Sequence, residues 1–269
     1  MIHCWKLKRV ILLSDDSSPD NSLHESSHIG AEDDDDSKPS PQVSPKDNHR
    51  LQSGEPLDFN FIAYEEKIVI VGASGSGKSY LANVLLKSLN GISVWVYDFN
   101  YEFHSSKAIL CHDLDELLKI YDSAKRGHYI LQPHNNSIET FNRFNAEAFK
   151  RGNLVLIEDE IHSFLTKQKQ NKEFNQVILS GRPRGISVVS ISSRPASCPN
   201  HVLSNSKHVF AFKLNLESDV KFLEGYLGHD VWILMPQDKR HRLKDEPELE
   251  EHSFFYRDMD KDHGVIGKV

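Results

Sequence analysis

The stretch Gly72-Ala73-Ser74-Gly75-Ser76-Gly77-Lys78-Ser79 decides how this chain folds. Its spacing, a glycine, four residues, then Gly-Lys-Ser, is that of a loop that cradles phosphate. Glycines at 72, 75 and 77 let the backbone close around an anion where a Cβ would collide with it. N–H groups of the loop, and of a helix beginning near Lys78, point at the anion, and the helix dipole favours its charge. In this reading Lys78 reaches the β- and γ-phosphates of a nucleotide and the Ser79 hydroxyl ligates Mg2+; Ala73, Ser74, Ser76 and Tyr80 complete the binding segment. The flanks agree. Lys67-Ile-Val-Ile-Val71 reads as a buried strand, and Tyr80 to Lys87 has the apolar spacing of a helix.

Outward from this loop the composition is uneven. The chain has 269 residues, 38% hydrophobic and 26% charged, enough for one sizeable core. Residues 1–56 hold 11 acidic and 6 basic side chains, a net −5 of the total −7, and include the run Asp33 to Asp36. Residues 14 to 56 have few large apolar groups and cannot offset their ordering entropy, so residues 1–56 read as a disordered acidic arm. Residues 57–269 read as the folded domain. That domain is nearly neutral, so any nucleic-acid contact must come from local patches.

The opening Met1 to Leu13 is basic then apolar, but its apolar run is too short for a signal peptide. No stretch approaches the roughly 20 apolar residues of a membrane span. Cys4, Cys111 and Cys198 are widely spaced, which fits a reducing compartment and not a zinc site.

From residue 57 strands and helices alternate. Ile92 to Asp98, His128 to Gln132, Asn153 to Asp159, Ile186 to Ser192 and His208 to Lys213 read as strands. Residues 113–125, 138–151, 172–181 and 217–227 read as helices, with a short one after Pro199. The alternation predicts an α/β fold: a mostly parallel sheet covered by helices on both faces.

Leu154-Val-Leu-Ile-Glu-Asp-Glu160 supplies what a phosphate-binding loop needs from a neighbouring strand. The apolar run buries the strand, and its carboxyl end delivers acids. Asp159 fits the Mg2+ shell, and Glu160 is placed to polarise a water for attack on the γ-phosphate. Glu158 is a third acid, so a register shifted by one stays open.

Two further segments carry a family resemblance. Tyr97-Asp-Phe-Asn-Tyr-Glu-Phe103 is similar to the Asp-x-x-x-Glu-Tyr element of the FtsK–HerA superfamily of DNA-pumping ATPases. Gly181-Arg-Pro-Arg-Gly-Ile-Ser, with its strand and Ser193-Arg194-Pro195, resembles that superfamily's Gly-Arg-x-x-Gly-Ile-Ser and Ser-Gln-Arg-Pro element. Asn205 to Phe212 resembles its following His-x-x-Ala-Phe strand, and Asp159-Glu-Ile-His162 its Asp-Glu-Ala-His form. The similarity spans about residues 65–228. One departure is that Ser193 stands where the family's polar sensor is usually glutamine.

The resemblance implies a RecA-like P-loop NTPase of the additional-strand, catalytic-glutamate type. It implies ATP hydrolysis with Mg2+, coupled to movement of double-stranded DNA by a homo-oligomeric ring, a pentamer or hexamer. It also implies an arginine completing the neighbour's site; Arg182, Arg184 and Arg194 are the candidates, and their order stays open. Without membrane spans or an N-terminal barrel, the chain looks like the nearly bare motors that package viral genomes. Capsid or portal partners, and a place in the host cytoplasm or the virion, are what that likeness implies. Thr166 to Lys172, basic and amide-rich, reads either as a DNA-phosphate contact or as a solvated loop. Two rivals remain: a nucleotide or small-molecule kinase using Arg182 and Arg184 as a lid, and a non-catalytic nucleotide-dependent interaction module.

Overall fold

The computed structural model describes residues 10–13, 51–54 and 66–269, except 167–170, 242, 247 and 261–263. Among the described residues eleven strands form one sheet: β1 (Val10–Leu13), β2 (Leu51–Gly54), β3 (Lys67–Val71), β4 (Val94–Tyr97), β5 (Ala108–Cys111), β6 (His128–Leu131), β7 (Leu154–Glu158), β8 (Ile186–Ser192), β9 (His208–Phe212), β10 (Ser253–Asp258) and β11 (Gly264–Lys268). Their spatial order is β2-β1-β11-β10-β9-β3-β8-β7-β4-β6-β5. The run from β9 to β5 is parallel throughout, with Val71 opposite Ser192 and Glu158 opposite Ser190. The other four strands add on antiparallel.

β8 lies between the phosphate-loop strand β3 and the acidic strand β7, as the additional-strand type requires. Because side chains alternate across a strand, each inner strand feeds two cores. Ile68 and Ile70 face one core, with Leu81, Leu85 and Leu86 of α1 (Lys78–Ser88). Val69 and Val71 face the other, where α2 (Leu114–Ala124), α3 (Ile138–Arg151), α4 (Lys172–Ser180), α5 (Asn200–Ser204) and α6 (Glu217–Leu227) pack. Both faces are covered, unequally.

Helix starts follow local chemistry. Asp113, Ser137 and Asn171 each accept a hydrogen bond from a backbone N–H in the first turn of α2, α3 and α4.

Five strands differ from the sequence expectation. β5 escaped because it is a four-residue edge strand with Ile109 and Leu110 exposed, so it lacks a burial pattern. The hairpin of β10 and β11 escaped because its first strand is set among charged residues and gains its pairing from β9, far away in sequence. β1 and β2 lie inside the expected disordered arm, where β1 pairs with β11 and β2 with β1. The rest of the arm lies outside the described residues. Residues 167–170 of the expected DNA-contacting segment also lie outside them.

Candidate nucleotide-binding and hydrolysis site

The phosphate loop joins the end of β3 to α1 at the carboxyl edge of the sheet. Gly77 has φ 111°, and a Cβ there would lie 3.1 Å from the Phe212 ring. At Gly72 a Cβ would fall 2.5 Å from Phe212 Cβ and 2.7 Å from Ser76 Oγ. At Gly72 a side chain would displace β9, whereas at Gly77 the left-handed φ strains one and the Phe212 ring would have to give by a few tenths of an ångström. The loop is pinned on both sides: Gly72 N–H donates to Ser192 O (3.3 Å) and Ala73 N–H to Lys213 O (2.8 Å). Lys78 is buried, and its Nζ donates to Ala73 O at 3.0 Å, folded back over the loop. Burial lowers the Lys78 pKa, with Glu160, Asp159 and Glu102 opposing.

Asp159 follows β7 directly, and its N–H donates to Tyr97 O at 3.0 Å. Its carboxylate is almost fully buried, and Oδ2 has no hydrogen-bond partner among the described residues. Burial, reinforced by the charges of Glu160, Asp98 and Glu102, pushes its pKa up to about 7. An unpaired buried oxygen amid carboxylates fits a divalent cation, which would supply the missing positive charge. With the Ser79 hydroxyl, Asp159 therefore fits Mg2+ held jointly with nucleotide phosphates. Among the described residues no group of three His, Cys, Asp or Glu side chains could hold a metal alone.

The next residue, Glu160, adopts left-handed backbone angles (φ 46°, ψ 47°), rare outside glycine. Its Oε2 accepts the Ser193 N–H at 3.0 Å and lies 3.0 Å from His162 Nδ1. Burial alone would raise its pKa, but the bonds from His162 and the Ser193 amide, with the Lys78 charge, bring it below the usual value. Glu160 thus stays a carboxylate, facing the cleft formed by Ser74, Gly75, Gly77, Lys78, Ser79 and Tyr80. Glu158 faces the opposite way. It is fully buried against α3, accepts from Asn145 Nδ2 at 2.7 Å, and burial pushes its pKa up to about 8. The geometry favours Glu160, not Glu158, as the acid in the cleft.

The three arginines lie apart. Arg194 follows β8 near the loop, and its Nε donates to the buried Asp219 of α6 at 3.1 Å. Arg182 and Arg184 share the short turn just before β8, at the opposite edge of the sheet from the loop. Arg184 closes the end of α3, donating from Nε to Phe149 O (2.6 Å) and from Nη2 to Lys150 O (2.7 Å). Arg182 is exposed and close enough to Lys67, the first residue of β3, to lower its pKa further, burial being the larger cause.

Two site residues went unassigned in the sequence. Glu102 lines the cleft and accepts the Ser79 hydroxyl proton. Asp98, buried at the end of β4, accepts the N–H groups of Glu102 and Phe103 at 2.9 and 3.0 Å. The Asp-x-x-x-Glu spacing was the available signal.

A family profile described as an AAA domain matches residues 63–191. No curated protein sequence matches the chain. Among solved structures, it is similar to the genome packaging NTPase B204 from Sulfolobus turreted icosahedral virus 2 in complex with AMPPCP: TM-score 0.58, 18% identity, over 76% of this chain and 97% of that one. It is also similar to B204, the DNA-packaging ATPase from Sulfolobus turreted icosahedral virus: TM-score 0.56, 20% identity, over 77% and 98%. An AAA-domain profile thus matches residues 63–191, and the chain has the P-loop NTPase fold seen in a viral genome-packaging NTPase.

Proposed function

We propose that this protein is a Mg2+-dependent ATPase that couples hydrolysis to translocation of double-stranded DNA, as a homo-oligomeric ring, in packaging a viral genome. The observation that carries the reading is Glu160, ionised and held at the cleft by the Ser193 amide and His162. A carboxylate there takes a proton from the attacking water; a site that only bound phosphate would have no use for it. Lys78 lies 3.0 Å from a loop carbonyl that a phosphate oxygen would replace as its partner. Ser79 and Asp159 would hold Mg2+, which would supply charge neutralisation to the phosphate oxygens. Ser193 would hold the acid through its main chain and leave its hydroxyl for the water or γ-phosphate.

The kinase alternative is weakened by Arg182 and Arg184, which sit across the sheet from the loop and cannot close on it as a lid. DNA as cargo and the ring rest on likeness of fold to the packaging NTPase, and capsid or portal partners follow only if packaging is the function. Among the described residues no helix is long and apolar enough to cross a membrane. The test is steady-state phosphate release with and without long duplex DNA at low salt. A rise with DNA supports the motor; phosphate release that requires a small acceptor and ignores DNA favours the kinase.

A further inference from the structure

Ser79 can serve a cation only if its single proton points elsewhere. A hydroxyl has one O–H and two lone pairs, and as a neutral metal ligand it must aim a lone pair at the metal. Here the proton has a defined acceptor: Ser79 Oγ donates to Glu102 Oε2. We propose that Glu102 is a positioning residue for the metal ligand Ser79, taking the hydroxyl proton so that the oxygen lone pairs face the cleft. This rests on the reading that the cleft binds a Mg2+–nucleotide.

The contact is built, although Glu102 itself is exposed. Its N–H is fixed by Asp98 Oδ1 at 2.9 Å, and Asp98 is in turn held by Gln132 Nε2 at 2.7 Å. From the other side, Asn83 Nδ2 donates both to Ser79 O (2.9 Å) and to Glu102 O (3.1 Å), while its Oδ1 accepts the His104 N–H (3.0 Å). One amide side chain on α1 thus ties the metal-ligating turn to the acid-bearing loop without involving the Ser79 hydroxyl. Glu102 is also near enough to Lys78 and Asp159 to act on the ionisation of both. Asp159 Oδ2, buried and unpaired among the described residues, marks the neighbouring place for the cation. Groups that orient a ligand in this way typically carry ten-fold or more of metal affinity.

The test is ADP affinity by calorimetry, with Mg2+ and again with EDTA. Wild type should bind ADP more tightly with Mg2+. Glu102→Ala should lose about ten-fold of that gain, read as the ratio of ADP affinities with Mg2+ and in EDTA. Glu102→Gln, whose amide oxygen still accepts, should fall between them. Combined with Ser79→Ala, Glu102→Ala should add little further loss. The proposal is overturned if Glu102→Ala keeps the full Mg2+ gain, increases it, or loses equally in EDTA, or if its effect adds fully to Ser79→Ala. A wild type that binds no ADP under either condition instead removes the reading of the cleft itself.

Discussion

The Ser193 amide donates to Glu160 Oε2 across 3.0 Å, joining the ends of β8 and β7. The acid is therefore held by main chain, which any residue but proline supplies at 193, so serine in place of a longer amide leaves this contact intact. The link continues sideways. Ser192 Oγ lies 3.3 Å from His162 Nδ1 and accepts the Arg194 N–H at 3.1 Å, and Arg194 pairs with Asp219 on α6. A displacement of α6 has a short route of polar contacts to Glu160.

Glu160→Gln should bind ATP with wild-type affinity and lose turnover by at least about 10²-fold, since the amide cannot accept the water's proton. Lys78→Ala should lose nucleotide affinity. Glu158→Gln should turn over within a few-fold of wild type, because the amide oxygen still accepts from Asn145. Phosphate release and nucleotide calorimetry on the three variants check this. The reverse pattern at 158 and 160 would move the base to Glu158.

Arg184→Ala should destabilise the fold by roughly 1–2 kcal/mol through loss of two charged hydrogen bonds at the α3 terminus. The Phe149 ring under its guanidinium, 4.8 Å away, adds to that loss. Urea denaturation measures it. Turnover per folded subunit should change little, because its donors are engaged within their own chain.

If an arginine completes a neighbour's site, activity should rise steeply with protein concentration, and losing that arginine should cost on the order of 10³–10⁵ in rate. Arg182 is the first candidate, exposed at the edge away from its own loop. Lys78→Ala still offers its arginine and Arg182→Ala still offers its loop, so mixing two inactive proteins should restore part of the activity. Activity linear in concentration, with no recovery for Arg182, Arg184 or Arg194, would remove the ring mechanism.

His208 on β9 is buried, with Nδ1 2.9 Å from the Tyr256 hydroxyl on β10. Burial lowers its pKa, Lys207 adds to this, and Asp258, Glu66 and Asp260 oppose. The unfolded chain then takes up this proton near pH 6.5, the native state only at lower pH. In that window the unfolded state binds more protons, so stability falls as pH falls, by at most about 1.4 kcal/mol per pH unit from this group. His208→Gln should shrink the stability difference between pH 7.5 and 5.5, with His128 and His201, also lowered by burial, keeping part of it. An unchanged difference would exclude His208 as a source.

Hydrophobic patterning made the inner strands legible: Lys67–Val71 and Ile186–Ser192 fall where short runs rich in isoleucine and valine lie, because a strand buried on both faces is largely apolar. The loop Gly72 to Ser79 was equally plain, since its glycines answer to local backbone geometry. Other features depended on partners distant in sequence. Glu158, Asp159 and Glu160 are three adjacent acids, and no local rule says which one faces the nucleotide. The pleat sends Glu158 towards Asn145, and the left-handed turn at Glu160 swings that side chain onto the Ser193 amide. Arg184 likewise reads as a free cation until the fold places it on the carbonyls of α3, 34 and 35 residues earlier. Local pattern determined the elements and the phosphate loop, because both are short-range properties of the backbone. Which charged side chains meet in the cleft was decided by strand order, because their partners lie on other elements.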